Sequence, residues 1–135
     1  MHIGLMIRNM GDQSTKEIMA GAALAAEERQ FESIWVVDHI AIPPDNAEGS
    51  GGRYVDILSC LAWLSGVTST IKIGSGVLIA PYREILPTAK QIASIQELSG
   101  NRLLLGVGLG WMDAEFKALG VDRTNRGKIT DEFLT

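Results

Sequence analysis

The sequence predicts an α/β fold with a parallel sheet, on three observations. Short apolar runs rich in Ile, Val and Leu recur four times in the 135 residues, at 3–7, 33–37, 71–79 and 102–109. Each run is too continuous to leave one face solvated, which is typical of strands covered on both faces. Helical stretches separate the runs, and this alternation is the order of parallel strands joined by right-handed crossovers.

Three helices are predicted between the four strands. Ser14 or Thr15 can cap the first, which continues through an Ala-rich segment to about residue 30. Asp56 can begin the second, which ends at residues 65–66. Apolar side chains at helical spacing predict a third helix from residue 85 to residue 98, and Gly100 stands where a left-handed C-terminal cap is needed.

The last segment, residues 129–134, has the pattern of the first turns of a fourth helix. Four βα units are half of a (β/α)8 barrel, which usually needs about 250 residues. We therefore predict that residues 1–135 form a single partial domain, the N-terminal half of such a barrel, with four parallel strands, three helices and the start of a fourth. A helix this short is marginal alone, so we expect a truncated chain. A small open doubly wound sheet is the alternative architecture.

The composition of the chain excludes several classes of binding partner. The chain is 46% hydrophobic and 21% charged, as expected for a folded domain, and its net charge is −4. It has no basic stretch for a nucleic-acid backbone and no apolar run long enough to cross a membrane. His2 and His39 are the only histidines and no Cys-x-x-Cys motif occurs, so a metal site is not expected. The single Cys60 and the absence of a signal-peptide pattern favour the cytoplasm.

Polar and glycine residues gather where the predicted strands end. Asp38 and His39 follow the second strand, residues 74–77 lie in the third, and residues 106–111 end the fourth. Because both candidate architectures bind ligands at the carboxyl ends of parallel strands, these residues predict one site.

His39 is the main catalytic candidate. An imidazole can donate or accept a proton near neutral pH, although a histidine that only ties down a loop fits the same position. Asp38 and His39 are neighbours in an extended segment, so their side chains are expected to point apart and not to form a catalytic pair.

The glycines at 106, 108 and 110 form G-x-G-x-G, and Trp111 stands where a dinucleotide fingerprint would have its third glycine. The absence of a side chain at Gly76 and Gly108 is interpreted as allowing a planar ring to approach the sheet edge. At Gly106 it is interpreted as allowing only a tight strand exit and close helix contact.

The aromatic residues leave several alternatives open. Trp35 is expected in the core, Trp63 in the core or a subunit contact, and Trp111 either at a pocket or under its own loop. The glycine-rich residues 48–52, which precede Arg53 and Tyr54, form either a substrate lid or a solvated surface loop.

Four segments together carry a family resemblance: Ile34-Trp35-Val36-Val37-Asp38-His39, residues 68–78, residues 89–102, and Gly106-Val107-Gly108-Leu109-Gly110-Trp111 with Glu115-Phe116. In this order the chain resembles the luciferase-like monooxygenase superfamily, and its coenzyme F-420-dependent branch in particular. The resemblance implies a (β/α)8 barrel that binds FMN or the deazaflavin F-420 at its C-terminal mouth.

The resemblance also implies the cofactor-binding residues. Gly76-Val77 matches a bulge, often with a non-proline cis peptide, that supports the ring system from behind. An acidic proton donor of some family members falls at Trp111, so that role is not assigned here, and Glu115 is interpreted as a helix-start residue away from the ring face. The cofactor-binding candidates are Asp38, His39, Ser75, Gly76, Val77, Gly108, Gly110 and Trp111.

Two functions are consistent with these residues. The first is an oxidoreductase that transfers two electrons between a reduced flavin or deazaflavin and a small organic substrate. The second is a non-catalytic half-barrel, whose open sheet edges and apolar face predict self-association. Helices of this half often form the dimer contact in the family, which also implies a homodimer.

Overall fold

The computed structural model of the chain describes residues 2–47 and 49–135. Four parallel strands form one sheet in the order β1-β2-β3-β4. This sequential order confirms the predicted barrel-type fold, because a doubly wound sheet reverses its strand order at a switch point. The strands are β1 (Gly4–Met6), β2 (Ser33–Val36), β3 (Lys72–Ile79) and β4 (Leu103–Gly108).

The structure contains five α-helices in the described residues, whereas the sequence predicted three and the start of a fourth. The additional helix is short and lies between β4 and the final helix, where the sequence had indicated only a helix start at Glu115. The predicted final helix is present and begins three residues earlier than expected. The helices are α1 (Lys16–Glu28), α2 (Ile57–Val67), α3 (Ile85–Leu98), α4 (Asp113–Leu119) and α5 (Arg126–Leu134).

The predicted helix ends are in place. The Thr15 hydroxyl accepts a hydrogen bond from the Ile18 amide at 3.3 Å, and the Asp56 carboxylate accepts one from the Ser59 amide at 2.8 Å. These side chains satisfy amides that have no partner within the helix. Gly100 follows α3 with a φ of 69°, the left-handed conformation expected after a helix.

The main core lies between one face of the sheet and helices α1, α2 and α3. Leu5, Ile34 and Ile73 occupy adjacent register positions on that face. Met6, Trp35 and Gly74 occupy adjacent positions on the other face, which these helices do not cover. Met6 is accordingly 53% exposed. Helices on a single face again distinguish this sheet from a doubly wound one, which carries them on both.

A second, smaller cluster packs beyond the carboxyl end of β3. Ile79, Tyr82 and Phe116 are buried there, and the rings of Tyr82 and Phe116 meet edge to face with centroids 5.0 Å apart. This cluster attaches α4 to the end of the sheet, and it thereby positions α4 beside the residues that follow β2.

In the described part of the chain, no helix is both long and apolar enough to cross a lipid bilayer.

Candidate functional site

An open cavity of about 470 Å³ lies at the carboxyl ends of the strands. This volume lies within the range of about 300–1,000 Å³ that is usual for small-molecule sites. Residues within β3 and at the end of β4, and segments that follow β1, β2 and β4, contribute to its walls. Seven of the eight residues predicted to bind a cofactor line it: Asp38, His39, Gly76, Val77, Gly108, Gly110 and Trp111.

Ser75 does not line the cavity, which corrects its assignment as a direct cofactor contact. Its side chain is fully buried, and its hydroxyl donates to the Gly106 carbonyl at 2.9 Å and accepts from the Gly106 amide at 3.0 Å. Ser75 therefore joins β3 to β4 behind the cavity. Alternation along a strand explains the difference, because Ser75 and Gly76 point to opposite faces of the sheet.

Asp38 lies at the cavity, but protein donors occupy its carboxylate. Arg83 binds it with two nitrogens at 2.6 and 2.8 Å, and the Ile79 amide donates to it at 2.9 Å. The Arg83 guanidinium makes a bidentate ion pair, a strong and directional form of charge-assisted hydrogen bond. Asp38 thus ties the segment after β2 to the end of β3, a partnership that the sequence did not predict.

His39 is directed away from Asp38, as expected, and contacts an acidic residue from another element. Its Nδ1 lies 2.6 Å from Oε2 of Glu115, which is in the first turn of α4. The His39 side chain is 15% exposed and that of Glu115 is fully buried. The two residues are 76 positions apart in the chain, so the fold alone brings them together.

The Glu115 carboxylate is held by four donors. Its Oε1 accepts from the Ile40 and Ala41 amides at 2.7 and 2.9 Å, and its Oε2 contacts His39 and the Tyr82 hydroxyl. Burial acts to raise the pKa of Glu115, but the hydrogen bonds from the Ala41 amide, His39 and the Ile40 amide outweigh it and hold the pKa below its ordinary value. Glu115 is therefore an ionised acceptor at neutral pH.

The charge of Glu115 determines the tautomer of His39. A carboxylate cannot donate, so the proton of this hydrogen bond belongs to His39 Nδ1. In the neutral imidazole Nε2 is then the acceptor, and among the described residues it has no hydrogen-bond partner. The arrangement leaves Nε2 able to take a proton from a molecule in the cavity.

Glu115 was expected to be a helix-start residue away from the ring face. It does lie in the first turn of α4 and does not line the cavity, but its link to His39 was missed. A signal was available: Met112, Phe116 and Leu119 are spaced i, i+4 and i+7, and Glu115 falls on the same face as these apolar residues. A charged residue on an apolar helix face indicates a buried, partnered carboxylate.

A wall formed by Met10 and Tyr54 was also missed. The segments after β1 and β2 are joined by an antiparallel bridge between these two residues, with hydrogen bonds from Gly11 to Arg53 and from Val55 to Asn9. Met10 and Tyr54 line the cavity. The sequence placed Tyr54 beside a flexible loop, and only the pairing with a distant segment fixes it at the cavity.

Two aromatic rings flank His39. The centroid of its imidazole lies 5.0 Å from that of Tyr54 and 6.1 Å from that of Trp111, both edge to face. Trp111 is 60% exposed and lines the cavity, which favours the first of the two positions considered for it. The imidazole thus lies beside two aromatic rings at the wall of the open cavity.

The bulge implied by the resemblance is present in β3. Its register with β4 shifts between Ser75 and Leu78, and the peptide bond between Gly76 and Val77 is cis. Gly108 faces this bulge, and a Cβ at Gly108 would overlap the Val77 side chain. Packing against Val77 thus accounts for Gly108 without a ligand, whereas a Cβ at Gly76 would meet only ordinary contacts, the nearest 3.7 Å from Trp35.

The other residues considered in the sequence, two tryptophans and the described part of the glycine-rich loop, do not contribute to the cavity walls. Trp35 is half-buried against Gly74 on the sheet face away from the helices, and Trp63 packs on the edge of the main core. In the proposed lid, Glu48 lies outside the described residues, and Gly49 to Gly52 form turns. Among the described residues, no group of three or more His, Cys, Asp or Glu side chains is placed to hold a metal ion.

The strand order, the one-sided helices and the position of the cavity define a barrel-type α/β protein with an open cavity at the C-terminal edge of its sheet. Comparison with known families is consistent with this class. The chain belongs to the luciferase-like monooxygenase family, whose sequence profile matches residues 1–135.

Three known proteins illustrate the relationship. The chain is 35% identical to 5,10-methylenetetrahydromethanopterin reductase of Methanolobus tindarius, over 76% of this chain and 28% of the reductase. It superposes on the coenzyme F420-dependent tetrahydromethanopterin reductase of Methanopyrus kandleri with a TM-score of 0.64 and 26% identity, over 90% and 30% of the two chains. The third is the oxygenating constituent of 3,6-diketocamphane monooxygenase from Pseudomonas putida, solved with FMN. Its TM-score is 0.81 at 16% identity, over 99% of this chain and 38% of that one.

The likeness to the Pseudomonas enzyme concerns the fold alone, since its identity is below 25%. The chain spans less than two fifths of the length of each of these three proteins.

Proposed function

We propose that this chain forms the ring-facing part of the site of a flavin- or deazaflavin-dependent oxidoreductase, in which two electrons pass between the reduced cofactor and a small organic substrate. His39 is the proton-transfer residue of this proposal. The observation that carries it is the hydrogen bond from His39 Nδ1 to the buried Glu115, which leaves Nε2 as the acceptor at the cavity.

The cavity suits a planar, largely apolar ring system. Val77, Leu109 and Trp111 supply apolar and aromatic surface, and the backbone at Gly76 carries no side chain that would obstruct a flat ligand. His39 supplies a polar group beside this surface. Apolar walls with a few oriented polar groups are the usual composition of a cofactor site.

The residues therefore fit FMN or F-420. When bound, such a cofactor supplies hydride chemistry, and the protein contributes position, orientation and exclusion of water. In this chain Asp38 and Arg83 fix the segment that presents His39, Glu115 fixes the imidazole, and Trp111 shields one side of it. The reductase of Methanopyrus kandleri and the FMN-bound Pseudomonas enzyme support these two cofactors as the candidates.

A titration tests the proposal directly. The purified chain is titrated with FMN and, separately, with F-420, while cofactor fluorescence and tryptophan quenching are followed. We expect a saturable change with at least one of them, because seven of the eight candidate cofactor-binding residues line one cavity in this chain. Absence of a saturable change with either cofactor would remove the proposal.

A matched pair of histidine variants tests whether the cofactor binds beside His39. His39→Asn removes the imidazole at the cavity, whereas His2→Asn removes an exposed imidazole at the amino-terminal end of β1. We expect the first to weaken the bound-state signal and the second to leave it unchanged. Equal titration curves for both variants would show that the cofactor does not sit beside His39.

We also propose that the 135-residue polypeptide self-associates. The outer edges of β1 and β4 have no neighbouring strand among the described residues. Met6, Val77 and Leu105 on the strands are between 41% and 53% exposed. Unpaired edges with apolar side chains favour pairing with another chain, and a second copy offers complementary parallel edges.

A further inference from the structure

Tyr82 lies outside the cavity but is connected to His39 through one atom. It belongs to the helical turn Ala80–Tyr82 directly after β3 and is 7% exposed. Its hydroxyl lies 3.1 Å from Oε2 of Glu115, the same oxygen that contacts His39 Nδ1 at 2.6 Å. Tyr82 and His39 thus share a single acceptor atom in a buried site.

The direction of both hydrogen bonds follows from the charge of Glu115. Burial raises the pKa of Tyr82, and the nearby Glu115 carboxylate raises it further, so the hydroxyl keeps its proton at neutral pH. Asp38 acts in the same direction and Arg123 opposes it. Tyr82 is consequently a donor to Glu115, and the carboxylate oxygen receives two competing donors.

We propose that Tyr82 is a positioning residue that acts through Glu115 to set the strength of the hydrogen bond made by His39 Nδ1. A second donor on Oε2 takes part of the negative charge that would otherwise act on the Nδ1 proton, because hydrogen bonds in a buried network polarise one another. Tyr82 thereby limits how much electron density reaches Nε2. This role rests on the proposed function, in which Nε2 is the proton acceptor.

The ring and the hydroxyl of Tyr82 can be separated experimentally. The ring packs edge to face on Phe116, and a phenylalanine at position 82 retains this contact. Tyr82→Phe therefore removes the donor and keeps the packing. If Tyr82 serves only the small core beyond β3, loss of its hydroxyl will leave His39 unchanged.

Nuclear magnetic resonance of the cofactor-free chain, with ¹⁵N-labelled histidine, provides the measurement. In Tyr82→Phe we expect the His39 Nδ1 proton to move downfield and to exchange more slowly with water, because Oε2 then serves His39 alone. An unchanged resonance and exchange rate would overturn the proposal. His2, the other histidine, is exposed and serves as the internal reference.

A double-mutant cycle tests whether the effect passes through the carboxylate. In a Glu115→Gln background the acceptor is neutral, and Tyr82→Phe is expected to produce no further change at His39. A change of the same size in both backgrounds would contradict action through Glu115. If Tyr82→Phe does not fold, fluorinated tyrosine in a Tyr54→Phe chain labels Tyr82 alone. This stronger donor is expected to move the His39 proton upfield, and no movement would equally overturn the proposal.

The proposed function and the proposed role of Tyr82 can be rejected independently of each other. The resonance measurement needs no cofactor, so a negative cofactor titration with a positive resonance result would reject the oxidoreductase proposal and keep the link from Tyr82 to His39. The opposite pair of results would keep the cofactor site and reject the role of Tyr82.

Discussion

Gly110 shows how a single backbone position fixes the loop after β4. Its φ is 75°, a conformation that L side chains rarely adopt. A Cβ at this position would lie 2.8 Å from the Ile79 side chain and 3.2 Å from both Phe116 and the Tyr82 hydroxyl. Gly110 therefore lets the loop pass close to the small core that carries Glu115 and Tyr82.

A pair of glycine variants tests this conclusion. Gly110→Ala is expected to lower the free energy of unfolding by about 1–3 kcal/mol, from backbone strain and overpacking. Gly21→Ala lies inside α1, where a Cβ meets no atom within 4 Å, and is expected to raise the free energy of unfolding by about 0.5–1 kcal/mol. Urea denaturation measures both. A Gly110→Ala protein as stable as wild type would show that the loop is not constrained as described.

For individual residues, the sequence predicted well which side chains lie at the cavity. It did not predict which other residues they contact there. Asp38 and His39 were placed correctly at the strand ends by their position after an apolar run. Their partners Arg83 and Glu115 lie 45 and 76 positions away. No local pattern encodes such distances. Ser75 was misplaced because alternation along β3 turns its side chain to the face opposite Gly76 and away from the cavity.

Among the elements, α1 is joined to the start of β3 by one carboxylate. Oε1 of Glu27 accepts from the amides of Ser69, Thr70 and Ile71 at 2.6 to 2.9 Å, and from the Thr70 hydroxyl at 3.1 Å. Burial acts to raise the pKa of Glu27, but these four hydrogen bonds lower it from 4.5 to about 2. Oε1 of Glu27 thus serves as the acceptor for the backbone amides of a turn that pair with no strand.

The lowered pKa of Glu27 predicts a pH dependence of stability. A carboxyl group with a depressed pKa in the folded state stabilises the protein fully above its unfolded value, near 4.5, and loses this contribution as the pH falls towards about 2. Glu27→Gln is therefore expected to be less stable than wild type at pH 7, and the difference is expected to shrink between pH 4.5 and 2. The effect is modest, because solvent partly screens this half-buried group.

Glu28→Gln is the matched control for this experiment. Glu28 is exposed on the same turn of α1, and its carboxylate receives no hydrogen bond from the described residues. Denaturation series at several pH values would compare the two variants with wild type. A constant difference between Glu27→Gln and wild type down to pH 2 would contradict the assigned role of Glu27.

The sequence predicted the ends of helices correctly where they depend on residues close together in the chain. The caps at Thr15 and Asp56 and the left-handed Gly100 follow from side-chain and backbone preferences within a few residues. Helix α4 was not counted among the predicted helices, although a helix start was expected at Glu115, because seven residues give a weak periodic signal and a helix this short depends on packing. Its contact with the end of β3 is what stabilises it.

On the scale of the whole molecule, the open sheet edges predict the behaviour of the 135-residue polypeptide in solution. Light scattering coupled to size exclusion is expected to show association that increases with concentration. Leu105→Lys places a charge on the edge strand β4 and is expected to reduce this association, since charged edge residues oppose strand pairing.

Leu98→Lys is the matched control, because Leu98 is 78% exposed and lies at the end of helix α3, not on a strand. If this variant and not Leu105→Lys reduces association, the helices form the contact and not the strand edges. A stable monomer of the unmodified chain at high concentration would refute self-association altogether.

The sequence by itself determined the strand–helix alternation, the parallel sheet and the gathering of polar and glycine residues at its carboxyl edge. These features follow from periodicity, capping and chain direction, which are properties of neighbouring residues. Only the tertiary structure decided the strand order, the wall of Met10 and Tyr54, and the chain of hydrogen bonds from Tyr82 through Glu115 to His39. Those features depend on which distant segments pack together, and that is set by the burial of whole elements and not by any local pattern.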